Sequence, residues 1–119
     1  MANNTLPPDG NFSILQKVTT IYLLWHNYSS QLPKSTRYSL GAKVDILFTD
    51  LLEIILQARY ANKENKLSFI DKATIKLDLL KFFLQIIWQT KSLDSKKYLQ
   101  LSEPLSEIGK ILGGWKKSF

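Results

Sequence analysis

Side chains able to carry out catalysis are few in this sequence, and they are not arranged as a site. His26 is the single histidine and there is no cysteine, so neither a histidine pair nor thiolates can hold a metal. His26 is interpreted as a hydrogen-bonding residue or a cation at a helix end. Asp45, Asp50 and Glu53 fall on the predicted solvent face of a helix. No glycine-rich loop follows a strand. We therefore predict no enzymatic activity, no metal and no cofactor.

Basic side chains outnumber acidic ones in this sequence, and the excess lies in its second half. The net charge is +6, from 16 basic and 10 acidic residues. Residues 1–58 carry equal numbers of each sign, whereas residues 59–119 carry twelve basic and six acidic residues. A one-sided excess of this kind attracts polyanions such as nucleic acid. A merely solvated surface would have the same composition, so charge alone leaves both interpretations open.

The predicted nucleic-acid contacts are Arg59, Lys63, Lys66, Lys72 and Lys76. Lys72 and Lys76 are four residues apart and should point the same way on a helix. Arg59 and Lys63 have the same spacing, provided that their helix extends that far. A short connection between antiparallel helices would gather all five at one end of the subunit. Because no strand platform with stacking aromatics is predicted, we expect contacts to phosphates, with strong salt dependence. The alternative is that these side chains pair with nearby carboxylates.

Four segments have the periodicity of amphipathic helices, and none has the sustained alternation of a strand. They run from about Phe12 to Tyr28, from between Pro33 and Ser39 to about Ala61, from Ser68 to about Thr90, and from Asp94 onward. Short loops between such helices favour antiparallel neighbours, so we predict an all-α, up-down four-helix bundle. Residues 1–11 are expected to form a flexible leader and residues 12–119 the bundle domain.

Local signals place the helix ends. Asn11 is the predicted N-cap of the first helix, Ser68 with Asp71 a capping-box variant for the third, and Asp94 the N-cap of the fourth. Residues 62–66 are predicted to form a loop. Pro104, inside the fourth segment, should kink or break that helix.

The third helix has two apolar faces. Its predicted core face is Ile70, Ala73, Leu77, Leu80, Leu84 and Ile87. A second set, which we call the outer stripe, is Ile75, Leu79, Phe82 and Ile86. Each of its members follows a core residue by two positions, about 200° round the helix, and would face water in a single bundle. Phe48, Leu52 and Leu56 on the second helix, with Leu23 and Leu24 on the first, extend the pattern. We predict that the outer stripe is the interface of a homo-oligomer; the alternative is a skewed bundle that buries it.

The glycines of the last helix also require an explanation. Gly109 and Gly113 lie four residues apart, and glycine is tolerated in a helix where another backbone approaches closely. Gly41 is predicted to serve the same purpose in the second helix. Trp115 continues the core periodicity beyond the glycines, which predicts a structural role for its side chain.

Three stretches carry a family resemblance: "LPKSTRYSLG" at 32–41, "QARYANK" at 57–63 and "LSEIGKILGGWKKS" at 105–118. Together they resemble the accessory variability determinant proteins of diversity-generating retroelements, over nearly the whole chain. A related branch comprises the four-helix-bundle proteins encoded by ribosomal intervening sequences. That branch usually ends its second helix with an Asn-Ile-Ala-Glu-Gly-like segment, whereas this chain has Gln57-Ala58-Arg59-Tyr60, which favours the retroelement branch.

The resemblance implies a basic four-helix bundle that assembles into a barrel-like homopentamer. It implies binding to the retroelement's reverse transcriptase and to RNA or DNA, in support of mutagenic complementary-DNA synthesis, without catalytic activity of its own. The alternative is a self-assembling interaction protein of the ribosomal type, with no reverse-transcriptase partner. The absence of cysteine and the shortness of the apolar runs lead us to expect a cytoplasmic protein that does not bind membranes.

Overall fold

The computed structural model describes residues 10–118, and of residues 10–13 it describes the backbone alone. The four long helices are α1 (Gly10–Ser29), α2 (Ala42–Tyr60), α3 (Lys63–Gln89) and α4 (Ser95–Ser118). A short α-helix, Lys34–Thr36, and a π-helix, Arg37–Gly41, run directly into α2. Most of the predicted leader, residues 1–9, lies outside the described residues, as does Phe119. Since α1 already includes Asn11, that residue is not its N-cap.

The four long helices form an up-down bundle in which each contacts two neighbours. Helix α1 packs against α2 and α4, and α3 packs against the same two helices, so that α1 and α3 lie diagonally opposite. The described residues contain helices and turns but no strand, which confirms the predicted all-α class. None of the described helices combines the length and the apolar composition needed to cross a membrane.

The core follows the predicted periodicity most closely on α3, where all six predicted core residues are buried. Phe48 is the main correction, because the sequence pattern grouped it with the outer, solvent-facing residues of α2. It is fully buried, with its ring 5.5 Å from that of Tyr22 in an edge-to-face contact and 6.3 Å from that of Trp25 in a stacked one. Helix α2 thus buries a wider face than a single stripe, and its buried residues are Val44, Leu47, Phe48, Leu51, Ile55 and Ala58.

The connection between α2 and α3 is shorter than predicted. Asn62 is the N-cap of α3, and its side chain accepts a hydrogen bond of 3.0 Å from the backbone N–H of Asn65. Residues 62–66 are therefore not a loop, and Ser68 with Asp71 lies inside the helix rather than at its start. An asparagine cap satisfies a backbone donor that would otherwise have no partner, which explains the earlier start.

The segment "LPKSTRYSLG" is a structural connection between α1 and α2. Leu32 is buried, and the Nη2 atom of Arg37 donates hydrogen bonds to the carbonyls of Ser30 (2.7 Å) and Leu32 (2.9 Å). A Cβ atom at Gly41 would lie only 3.3 Å from the carbonyl oxygen of Thr36. The predicted close approach at Gly41 is thus confirmed, although the backbone that approaches is that of Thr36, at the end of the short helix that directly precedes the π-helix.

The glycines of α4 do not admit a neighbouring backbone. A Cβ atom at Gly109 would make an ordinary contact of 3.5 Å with the Leu77 side chain, and one at Gly113 would meet nothing within 4 Å. The predicted reason for these two glycines is therefore wrong within this chain. Trp115 packs against the core but stays partly exposed, so its predicted structural role is confirmed only in part.

Helix α4 begins as predicted, since Asp94 Oδ1 accepts a 2.8 Å hydrogen bond from the backbone N–H of Lys97. Pro104 does not break the helix, which continues to Ser118. Just before α4, Lys91 has φ of 65°, a left-handed conformation that glycine normally occupies after a helix. For a residue with a side chain this conformation costs roughly 1–2 kcal/mol.

Candidate functional surfaces

The outer stripe of α3 is exposed in the single chain. The exposed fractions of Ile75, Leu79 and Phe82 are 60%, 39% and 55%, whereas Ile86 is partly buried. The Phe82 ring packs edge to face on that of Phe83 at 5.3 Å, which holds it as part of a ridge. Large apolar side chains that adjoin one another on a surface are typical of contacts with another molecule. The skewed-bundle alternative would have required these side chains to be buried within the chain.

The smaller extensions of the outer stripe divide between two sides of the bundle. On α2, Leu56 is exposed and Leu52 packs partly against the core. On α1, Leu23 is exposed and Leu24 partly so, and both line an apolar groove of about 660 Å³ between α1 and α4. Because α1 is diagonal to α3, this groove and the outer stripe are separate surfaces.

The five predicted nucleic-acid contacts do not all lie at one end of the bundle. Lys76 is thirteen residues beyond Lys63, which at 1.5 Å per residue places it about 20 Å along α3. Its Nζ atom forms an ion pair of 3.1 Å with Asp50 on α2. Lys72 lies nearer the end, with its Nζ atom 5.4 Å from the centre of the Phe69 ring. The charge of Lys76 is therefore compensated, whereas that of Lys72 stays available.

The remaining three lie around the α2–α3 connection. Because α2 ends at Tyr60 and Ala61 is extended, Arg59 and Lys63 do not share one helical face as predicted. The guanidinium of Arg59 lies 5.7 Å from the centre of the Tyr60 ring. Lys63 and Lys66 occupy the first turns of α3 at a spacing of three, which keeps them on one side.

Two carboxylates of α2, Asp45 and Asp50, are less solvated than predicted, whereas Glu53 is exposed as predicted. Asp45 accepts a 2.9 Å hydrogen bond from the hydroxyl of Tyr22 on α1, and Asp50 pairs with Lys76. Burial, with the Asp45 hydrogen bond and charge, raises the pKa of the Tyr22 hydroxyl above its ordinary value. Both carboxylates thus tie α2 to its neighbours. His26 is exposed near the end of α1, with its ring 6.2 Å from that of Tyr22.

One basic cluster was not predicted. Lys34, Lys91, Lys96 and Lys97 lie in or next to the α1–α2 and α3–α4 connections, which share one end of the bundle and are joined there by hydrogen bonds; we call it the connection end. Sequence spacing does not reveal this cluster, because its members are far apart in the chain. The predicted up-down topology could have revealed it, because it places the end of α1 at the same end of the bundle as the end of α3.

The side chains of residues 14–118 include no group of three acidic or histidine residues that could hold a metal ion. What they do present is an apolar ridge, an apolar groove and basic ends on a helical bundle. The fold and these surfaces define a class of small, basic, four-helix proteins that offer surfaces for binding other molecules.

Residues 12–119 match a family model described as bAvd-like, the bacterial accessory variability determinant family, and the chain belongs to that family. The comparison with curated proteins and that with solved structures gave no match.

Proposed function

We propose that this protein is a non-catalytic accessory subunit of a diversity-generating retroelement. In this role it binds the reverse transcriptase and the template RNA or its DNA copy, and it supports mutagenic complementary-DNA synthesis. The observation that carries the proposal is the family match over residues 12–119. The role places the protein in the cytoplasm, together with its nucleic-acid template.

The proposal includes a homo-oligomer, for which the outer stripe is the candidate interface. Ile75, Leu79 and Phe82 are exposed on the side of α3 turned away from the core. Burying side chains of this size contributes roughly 1.5–3 kcal/mol each, so a few of them suffice to hold subunits together when the surrounding surfaces fit. The number of subunits, five, comes from the family resemblance.

Nucleic acid would be bound through phosphates at the α2–α3 end. Lys63, Lys66 and Lys72 are carried on one helix and project from its first three turns. A ring of subunits would repeat this cluster, which turns a weak contact into a multivalent one. Contacts of lysine with phosphate carry little sequence information, so selectivity would have to come from elsewhere.

Changing Lys63, Lys66 and Lys72 together to Gln should weaken binding to duplex nucleic acid and reduce its dependence on salt. Each lost phosphate contact lowers the slope of log affinity against log salt by about 0.9, so the expected change is roughly 2 to 3. The matched control is Lys76→Gln, which should change the slope little because Asp50 compensates that lysine. Filter binding over a salt series measures both. An unchanged slope in the triple variant would assign the phosphate contacts to other residues.

The reverse-transcriptase partnership is tested by co-purification. We expect a tagged copy of this chain to retain the reverse transcriptase encoded in the same retroelement after washing at moderate salt and nuclease treatment. The nuclease separates direct protein contact from bridging by nucleic acid. If no reverse-transcriptase gene accompanies this one, or if none is retained, the self-assembling interaction protein of the ribosomal type becomes the better description.

A further inference from the structure

The connection end brings together residues from three separate parts of the chain. The hydroxyl oxygens of Thr36 and Ser92 lie 2.9 Å apart in a hydrogen bond, which joins the start of the second helical segment to the α3–α4 turn. The Nζ atom of Lys97 donates a 3.1 Å hydrogen bond to Gln31 Oε1 in the α1–α2 connection. The positions of Lys34, two residues from Thr36, and Lys91, next to Ser92, follow from the first of these contacts.

The positive charge at this end is not compensated by ion pairs. Lys34, Lys91 and Lys96 are exposed, and among the side chains of residues 14–118 the ion pairs formed by lysines involve other positions. The neighbouring carboxylate, Asp94, already accepts the backbone N–H of Lys97 as the N-cap of α4. Asp94 keeps its negative charge, but the three lysines outnumber it, so this end has a net positive charge that is available to an anionic ligand.

An aromatic ring with a fixed orientation lies at the same end and lines one cavity with Lys91. The indole of Trp88 is 36% exposed, and its Nε1 atom donates a 3.0 Å hydrogen bond to Ser95 Oγ. The Tyr98 ring stacks on it with a centroid distance of 5.1 Å and an interplanar angle of 16°. Trp88 also borders an open cavity of about 660 Å³ that Lys91, Leu93 and Asp94 line in part. The indole is thus held in place by two neighbours and faces a space large enough for a planar group.

The backbone conformation of Lys91 also supports a binding site at this end. Its left-handed φ of 65° would suit glycine better, yet the residue there is a lysine, and it lines the cavity. Residues held in unfavourable backbone conformations cluster at binding sites, where the surrounding structure maintains them. Here the lysine side chain supplies a charge that glycine would not.

We propose that the connection end binds single-stranded nucleic acid, with an unpaired base stacked on Trp88 and its flanking phosphates on Lys91, Lys96 and Lys34. This inference takes only the kind of ligand, nucleic acid, from the proposed function. The surface that it assigns lies at the opposite end of the bundle from Lys63 and Lys66. An acidic peptide would also meet the lysines. A partly exposed indole that is held by two neighbours, at an end of the bundle that carries several lysines, favours a ligand that alternates planar bases with phosphates.

The test is a titration of the full chain with a short oligouridylate, followed by tryptophan fluorescence. A base stacked on Trp88 should quench part of the emission, and Trp88→Phe should abolish that quenching while the signals from the other tryptophans persist. Replacement of Trp88 by Ala should weaken binding by roughly 5- to 150-fold, the measured range for base–aromatic stacks. A duplex of the same length, in which no base is unpaired, should give no quenching.

Two charge variants separate this site from the one at the other end. Lys91→Gly with Lys96→Gln should lower the salt slope for the single strand by roughly 1.4, at 0.7 for each phosphate contact. Because glycine suits the backbone at position 91, the double variant should melt at or above the parent temperature, which excludes misfolding as the cause. Lys63→Gln with Lys66→Gln should leave the quenching unchanged.

The possible results of these experiments differ in what they imply for the proposed function. Oligouridylate that binds the parent without quenching, or an acidic peptide that binds the connection end as tightly, would overturn the stacking site and leave the proposed function standing. A salt slope that is unchanged in Lys91→Gly with Lys96→Gln would equally overturn it. A parent that binds neither single strand nor duplex would remove the nucleic-acid part of the proposed function as well.

Discussion

Replacing Leu79 and Phe82 together with Glu should separate the assembly into single chains that keep their helices. Both side chains lie in the outer stripe, and neither belongs to the core of the bundle. Two carboxylates placed in an apolar contact would have to be desolvated without a partner, whereas in the free subunit they face water. The effect should therefore fall on assembly and not on the fold.

Light scattering after gel filtration measures this directly, because one chain has a mass of 13.7 kDa and the expected parent is a multiple of it, five by family resemblance. The matched control is Thr74→Glu with Gln85→Glu, which adds the same charge to exposed polar positions on another side of α3. Circular dichroism should give the same helix content for all three proteins. A parent that elutes as a single chain, or a Leu79 and Phe82 variant of unchanged mass, would place no interface at the outer stripe.

Truncating Phe48 to Ala should destabilise the protein by roughly 3–5 kcal/mol, the range for a large buried aromatic. Its ring is fully buried and contacts those of Tyr22 and Trp25, so the change leaves a cavity between α1 and α2. Thr49→Ala, at the next and exposed position, should alter stability by no more than about 0.5 kcal/mol.

Chemical denaturation at one fixed protein concentration compares the two variants, since assembly would otherwise change the apparent stability. A small loss for Phe48→Ala, similar to that for Thr49→Ala, would show that this side chain is not in the core. That result would restore the sequence-based assignment of Phe48 to the outer surface.

Helical periodicity predicted the core of α3 without error because that helix buries a single narrow stripe along its length. A residue there is buried or exposed according to its angle round the helix, and sequence spacing reports this angle directly. The same rule misplaced Phe48, since α2 buries a wider face than a single stripe. How wide a face a helix buries depends on how its neighbours are placed around it, which spacing alone does not contain.

The helix ends and the charged surface were harder to predict for a related reason. Asn62 and Ser68 could each act as the N-cap of α3, and only the structure shows that the helix begins after Asn62. Lys76 and Asp50 are distant in sequence, so their ion pair depends on the register between α3 and α2. The lysines of the connection end are likewise gathered by topology.

The central claim, that this chain is the accessory subunit of a retroelement reverse transcriptase, is tested most directly by complementary-DNA synthesis. The measurement is the yield and the mutation frequency of DNA copied from the template-repeat RNA by the reverse transcriptase of the same retroelement, with and without this protein. We predict that efficient mutagenic copying requires the protein and falls when Leu79 and Phe82 are changed to Glu. Equal yield and equal mutation frequency in its absence would show that the protein is not this accessory subunit.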